Sequence, residues 1–174
     1  MVIIKRLTAE EAQDALAHLI EVLRDTVDRG ASIGFLPPLL AGEAWEYWEK
    51  VIADVAAGSR MLLVAEVDGE IAGAVQLALE MRANGAHRGE VQKLMVHRRF
   101  RRQGIARLLM QAVEATAQDA GRSLLVLDTR QGDAAEGLYR KLGYCEVGVI
   151  PGYALNIEGG ADGTVVFYKR LNGS

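Results

Sequence analysis

Between Val91 and Met110 the chain reads VQKLMVHRRFRRQGIARLLM: an apolar run, a turn rich in arginine, then Gly104-Ile105-Ala106 opening an amphipathic stretch. The first amides of a helix have no intrahelical acceptors and sit at the positive end of its dipole, so this turn suits an anion. Glycine at 104 lets a pyrophosphate approach the backbone where a Cβ would intrude. Arg101 and Arg102 would add charge at the rim. Neither GxGxxG nor GxxxxGK is present, which argues against a nicotinamide or nucleoside triphosphate ligand.

Other reactive side chains carry less. His18, His87 and His97 have no metal-ligand spacing, so no metal is expected. The lone Cys145 excludes an internal disulfide and a multi-cysteine zinc site, and reads as a small core residue.

The charge balance isolates the same turn. The chain has 174 residues, half of them hydrophobic, and a net charge of −3. Residues 1–86 carry seven Lys/Arg against fourteen Asp/Glu, and residues 87–174 carry thirteen against nine. Most of the positive excess is Arg98, Arg99, Arg101 and Arg102. A local basic cluster on an acidic chain points to a small anionic ligand rather than a nucleic-acid track. With no signal peptide and no apolar run near ~20 residues, a cytoplasmic protein is expected.

The elements that must position this turn can be read in order. Val2–Leu7 is a strand, and Thr8-Ala-Glu-Glu11 is a capping box before a helix that stops near Gly30. A second helix fits Glu43–Ala57, with Trp45, Trp48, Ile52 and Val55 on one side. Met61–Val67 and Ile71–Leu79 are strands joined by Asp68-Gly69, a two-residue hairpin. Glu90–Val96 is a strand, and Ile105 to Thr116 marks a helix ending near Gly121. Leu124–Leu127 is a buried strand. A short helix spans Asp133–Leu142, and strands near Tyr144–Val149 and Thr164–Lys169 finish the chain. No linker or repeat divides residues 1–174, so one domain of α/β (α+β) class is expected, a mixed sheet with helices on both faces.

The turn Arg101-Arg102-Gln103-Gly104-Ile105-Ala106 resembles the acetyl-CoA signature of the GNAT acetyltransferases, Q/R-x-x-G-x-G/A. Ala135-Glu-Gly-Leu-Tyr139-Arg-Lys-Leu-Gly143-Tyr144 resembles that family's second hallmark, a helix carrying Leu-Tyr before Gly-Phe/Tyr. The resemblance in organisation covers nearly the whole chain. It implies a mostly antiparallel sheet of about seven strands, with acetyl-CoA as co-substrate. Four further segments resemble a toxin-resistance branch of the family: Gly30–Phe35, Glu90–Val96, Leu127–Thr129 and Val147–Tyr153.

Acetyl transfer to an amine requires a neutral nucleophile, a stabilised thioester oxygen and a partner for the leaving thiolate. An alkylamine has a pKa near ~10, so a carboxylate that removes its proton is needed. The resemblance points to Glu90 or Asp128 for this and leaves the choice open. It places the Tyr139 hydroxyl beside the CoA sulfur. It assigns the oxyanion and pantetheine to the backbone around Leu94, Met95 and Val96, and extends the cofactor contacts to Thr129, Gly132, Asp133 and Ala135. Gly132 stands where the family commonly carries asparagine.

The uncharged segment Gly30–Gly42 and the family's acceptor site, between the first two helices, make Ser32, Phe35, Trp45 and Tyr153 candidate acceptor-pocket residues. The acceptor is expected to be a small amine, such as an amino acid-like toxin or antibiotic. A protein N-terminus, a lysine, or a non-catalytic acetyl-CoA sensor are the alternatives. Homodimers are common in the family, and a face carrying Trp45 or Trp48 is the candidate interface.

Overall fold

The computed structural model describes residues 1–171. Seven strands form one sheet in the order β1-β2-β3-β4-β5-β7-β6. These are β1 (Val2–Leu7), β2 (Arg60–Val67), β3 (Glu70–Leu79), β4 (Arg88–Val96), β5 (Leu124–Arg130), β6 (Cys145–Leu155) and β7 (Ala161–Arg170). All neighbours are antiparallel except β4 and β5. Helices α1 (Ala9–Asp14), α2 (Leu16–Asp28) and α3 (Ala41–Ala56) cover one face; α4 (Ile105–Asp119) and α5 (Ala134–Lys141) cover the other.

The period-2 alternation of β2 explains the two layers. Leu62 and Val64 pack with Leu19, Leu23 and Trp48 beneath the first helices. Leu63 and Ala65 pack with Leu109, Met110 and Val113 of α4. Residues buried on both faces make a continuous apolar strand. The capping box forms: the Thr8 hydroxyl accepts from the Glu11 N–H, and the Glu11 carboxylate accepts from the Thr8 N–H. Asp68 and Gly69 both take positive φ, at 50° and 84°, as the hairpin requires.

Three expectations are corrected. The first helix is two, broken at Ala15, whose backbone leaves helical geometry at ψ 2°. Trp45 and Trp48 do not share a face. Trp48 is fully buried, whereas Trp45, next to buried Ala44, is 48% exposed. Trp48 is therefore unavailable to any interface. Cys145 is exposed rather than in the core, because it begins the edge strand β6.

One feature of the sheet positions the site. β4 and β5 pair only from Arg88↔Leu124 to Glu90↔Val126. Beyond that point Val91–Val96 and Leu127–Arg130 have no pairing with each other. The chain leaves β4, turns through Arg98–Phe100, and enters α4 before returning as β5. A parallel crossover of this kind puts the helix N-terminus at the carboxyl ends of the strands, over the opening.

Candidate active site

The opening between β4 and β5 is the mouth of a cavity of about 850 Å³. At one end lies the turn into α4. Gly104 adopts φ 78°, and a Cβ there would meet no atom within 4 Å, so its free side faces open space. The N–H groups of Gly104, Ile105, Ala106 and Arg107 have no acceptor among the described residues. Four unpaired, convergent amides at the positive end of a 15-residue helix suit a pyrophosphate.

The arginine cluster divides. The Arg98 backbone N–H donates to Asp25 at 2.9 Å, and its guanidinium pairs with the same carboxylate. Arg99 pairs with Glu70 at 2.9 Å. Both are neutralised away from the cavity. Arg101 and Arg102 line it, joined by Arg107, which sequence reading missed. Arg101 also donates from Nε to the Val96 carbonyl at 3.1 Å, fastening the turn to the end of β4.

Asp25 is nearly buried, at 7% exposure. Burial alone would raise the pKa of its carboxyl. The Arg98 backbone N–H and guanidinium outweigh this, with His97 adding to them, and hold it below the ordinary aspartate range. Through this contact α2 is bound to the phosphate turn.

Glu90, Asp128 and Tyr139 line the same cavity. Asp128 is oriented: Thr164, buried on β7, places its hydroxyl 2.6 Å from Asp128 Oδ2 and 2.9 Å from the Thr129 carbonyl. Glu90 is exposed and has no such partner. Tyr139 is 6% exposed and packs its ring against Tyr144 and Phe167, with centroids 5.8 Å from each. Its hydroxyl has no hydrogen-bond partner among the described residues. Burial, with Asp133 and Asp128 adding to it, pushes the phenol well above its ordinary pKa. The group therefore stays protonated and can donate a hydrogen bond into the cavity.

Leu94, Met95, Val96, Thr129, Asp133, Ala135, Ser32 and Tyr153 also line this cavity. Gln103, Gly132, Phe35 and Trp45 do not. Gln103 turns its amide toward the Arg99 carbonyl, at 3.5 Å. The Gly132 N–H is taken by the Glu136 carboxylate, so that residue shapes the turn into α5. Phe35 packs edge-on against Tyr47 at 5.2 Å. Trp45 is on the solvent side of α3. The uncharged Gly30–Gly42 segment has two uses: Ala31 to Gly34 line the cavity, while Leu39 is buried in the core.

Lys93, Arg130 and Thr164 line the cavity without having been singled out by sequence. Lys93 carried a signal, a lone charge inside the apolar run Val91–Val96. Arg130 and Thr164 carried none, because strand ends routinely hold polar residues.

The model of the acetyltransferase (GNAT) family matches residues 15–144. A protein from Azospirillum brasilense described as an uncharacterized N-acetyltransferase is 33% identical over 118 residues, covering 67% of this chain and 68% of its own. An acetyltransferase from Salmonella typhimurium, solved with acetyl-CoA, superposes with a TM-score of 0.80 at 18% identity, covering 100% of this chain and 96% of its own. A ribosomal-protein-alanine N-acetyltransferase from Brucella melitensis gives 0.80 at 20% identity, covering 97% and 99%. The chain belongs to the GNAT acetyltransferase family and is an acetyl-CoA-dependent N-acetyltransferase.

Proposed function

We propose that the protein acetylates the primary amine of a small molecule by direct attack within a ternary complex. The observation that carries this reading is the shared cavity of Asp128, oriented by Thr164, and Tyr139, whose protonated hydroxyl is otherwise unpartnered. The amides of Gly104 to Arg107, with Arg101, Arg102 and Arg107, hold the pyrophosphate of acetyl-CoA. The thioester then extends along Leu94–Val96, whose edge has no partner in β5.

Asp128 takes the proton from the acceptor ammonium, directly or through water. The neutral nitrogen attacks the acetyl carbon; the N–C bond forms, the C–S bond breaks, the electron pair leaves on sulfur, and the proton the amide nitrogen must shed passes through water in the cavity to the thiolate or to bulk solvent. A backbone amide of Leu94–Val96 stabilises the thioester oxygen. A thiol of pKa near ~8.5 holds a proton less tightly than Tyr139 does. The phenol therefore donates a hydrogen bond to the departing thiolate and keeps its proton. Glu90, exposed at the same rim, draws in the ammonium.

A small acceptor is supported by the uncharged residues Ala31–Gly34 and by Tyr153, which line the same cavity as the charged groups. The segments Gly30–Phe35, Glu90–Val96, Leu127–Thr129 and Val147–Tyr153 also resemble the tabtoxin resistance protein, which acetylates an amino acid-like toxin. On this reading the chain is one domain acting in the cytoplasm. An amine panel read by free-thiol release, with Tyr139→Phe beside the wild type, tests it. The substitution should lower kcat by ~100-fold or more while acetyl-CoA affinity stays within about twofold. Equal loss of both would remove Tyr139 from the reaction.

A further inference from the structure

At the acceptor end of the cavity the Lys93 ammonium forms no ion pair or hydrogen bond with any of the described residues, though Asp128 and Glu90 act on it from a distance. Lys93 lies where the β3–β4 register breaks between Ala74 and Gln76, and it adopts φ 52°. A left-handed backbone on an L-residue with a long side chain is strained, a state the fold keeps where it serves a site. The bulge makes Lys93 part of the cavity wall beside Asp128 and Glu90.

The surroundings hold the ammonium in place without pairing it. Its Nζ is 5.9 Å from the centroid of the Phe35 ring. A Cβ at Gly34, which adopts φ 90°, would stand 3.1 Å from that nitrogen, so glycine leaves the approach open. Among the described residues Lys93 makes no hydrogen bond and has no carboxylate within 4.0 Å. Arg130, lining the same end, is by contrast held by the Gly30 carbonyl at 2.9 Å and faces Asp133 and Asp162. Arg60 beneath the strand is paired with Asp54 at 3.1 Å. Burial pulls the Lys93 pKa down; Asp128 and Glu90 offset this in part, against Arg60. A half-buried, unpaired ammonium gains most from a fixed anion brought by a ligand.

We propose that Lys93 binds a carboxylate of the acceptor, so that the acceptor is an amino acid whose amine lies at Asp128 and whose acid group lies at Lys93. A bare alkylamine would bring a second cation toward Lys93 and leave its desolvation unrelieved. A zwitterion matches both signs of the site. This assignment rests on the N-acetyltransferase reading of the same cavity.

The test uses matched triplets, an amino acid, its carboxamide and its decarboxylated amine, for L-leucine, L-lysine and L-glutamate, with saturating acetyl-CoA and thiol-release detection. The wild type should prefer at least one acid over its decarboxylated amine by roughly ten- to hundredfold in kcat/KM, the scale of a charge-assisted hydrogen bond. Lys93→Met should bring that ratio close to one, mainly through KM for the acid, and Lys93→Arg should restore part of it. No preference in the wild type, or a ratio unchanged by Lys93→Met, overturns the proposal. Calorimetric titration of the CoA-loaded protein with the same acids separates the two readings. Binding weakened by Lys93→Met without thiol release for any amine sinks the acetyl-transfer reading and keeps Lys93 as a carboxylate site. Absence of binding together with absence of turnover overturns the Lys93 assignment itself.

Discussion

The two ends of the cavity are made by different means. The phosphate turn comes from one continuous stretch, Leu94 to Arg107, and it offers mainly backbone: four unpaired amides and a glycine whose open side faces the cavity. The acceptor end is assembled from Ala31–Gly34, Lys93, Asp128, Tyr153 and Thr164, which lie on a loop and four different strands and act largely through side chains. Backbone recognition tolerates neighbouring substitutions, so it suits an invariant phosphate. Side-chain recognition changes with each replacement, so it suits the partner that distinguishes one enzyme from the next.

Substitutions at the two ends should therefore separate donor affinity from acceptor chemistry. The largest effect is expected from Asp128→Asn, which removes the proton acceptor and should lower kcat by ~100- to 10,000-fold. Titration with acetyl-CoA should show an affinity close to wild type; a parallel loss would merge the two ends into one. Gly104→Glu is next, adding a carboxylate and a strained left-handed side chain where an anion belongs. Acetyl-CoA binding should weaken by ~100-fold or more, as two like charges brought together cost a few kcal/mol. Gly104→Ala carries only the strain, about 1–2 kcal/mol, and should retain measurable binding. Circular dichroism on both variants separates misfolding from a filled site.

Smaller effects sharpen the division. Thr164→Val keeps the shape and removes the hydroxyl that orients Asp128, so kcat should fall by about tenfold, the worth of one net hydrogen bond. Asp25→Ala should lower stability by about 1–3 kcal/mol, because the Arg98 amide and guanidinium lose their acceptor, and should loosen acetyl-CoA binding several-fold through the turn. The folded carboxyl of Asp25 has its pKa below the unfolded value near ~3.9. Its contribution is thus present above about pH 4 and is lost as pH falls through the folded pKa. Melting curves of wild type and variant should differ at neutral pH and approach each other in acid.

Much of this was legible in the chain itself. Thr8 and Glu11 announce their capping box because its donors and acceptors are three residues apart. Asp68-Gly69 announces its hairpin because only a few residues accept positive φ at both turn positions. The phosphate turn is legible for the same reason: strand, glycine and helix start are consecutive. The arginine cluster was legible as charge but not as direction. Arg98 and Arg99 answer Asp25 and Glu70, which are 73 and 29 positions away, and only Arg101 and Arg102 face the cavity. The places of Trp45 and Phe35 were not legible, because aromatic residues near an expected pocket read alike whether they face the pocket, the core or water.

The sequence by itself determined the order of the elements, the turn into α4 and the tyrosine on α5, since each depends on neighbours within a few residues. The tertiary structure alone decided that β4 and β5 part after Glu90, that Thr164 orients Asp128, and that Lys93 stands unpaired in the cavity wall. Those facts depend on strand register and on contacts between residues 16 or more positions apart. No local periodicity encodes such contacts, because they form only when the sheet and both helical layers close around the same opening.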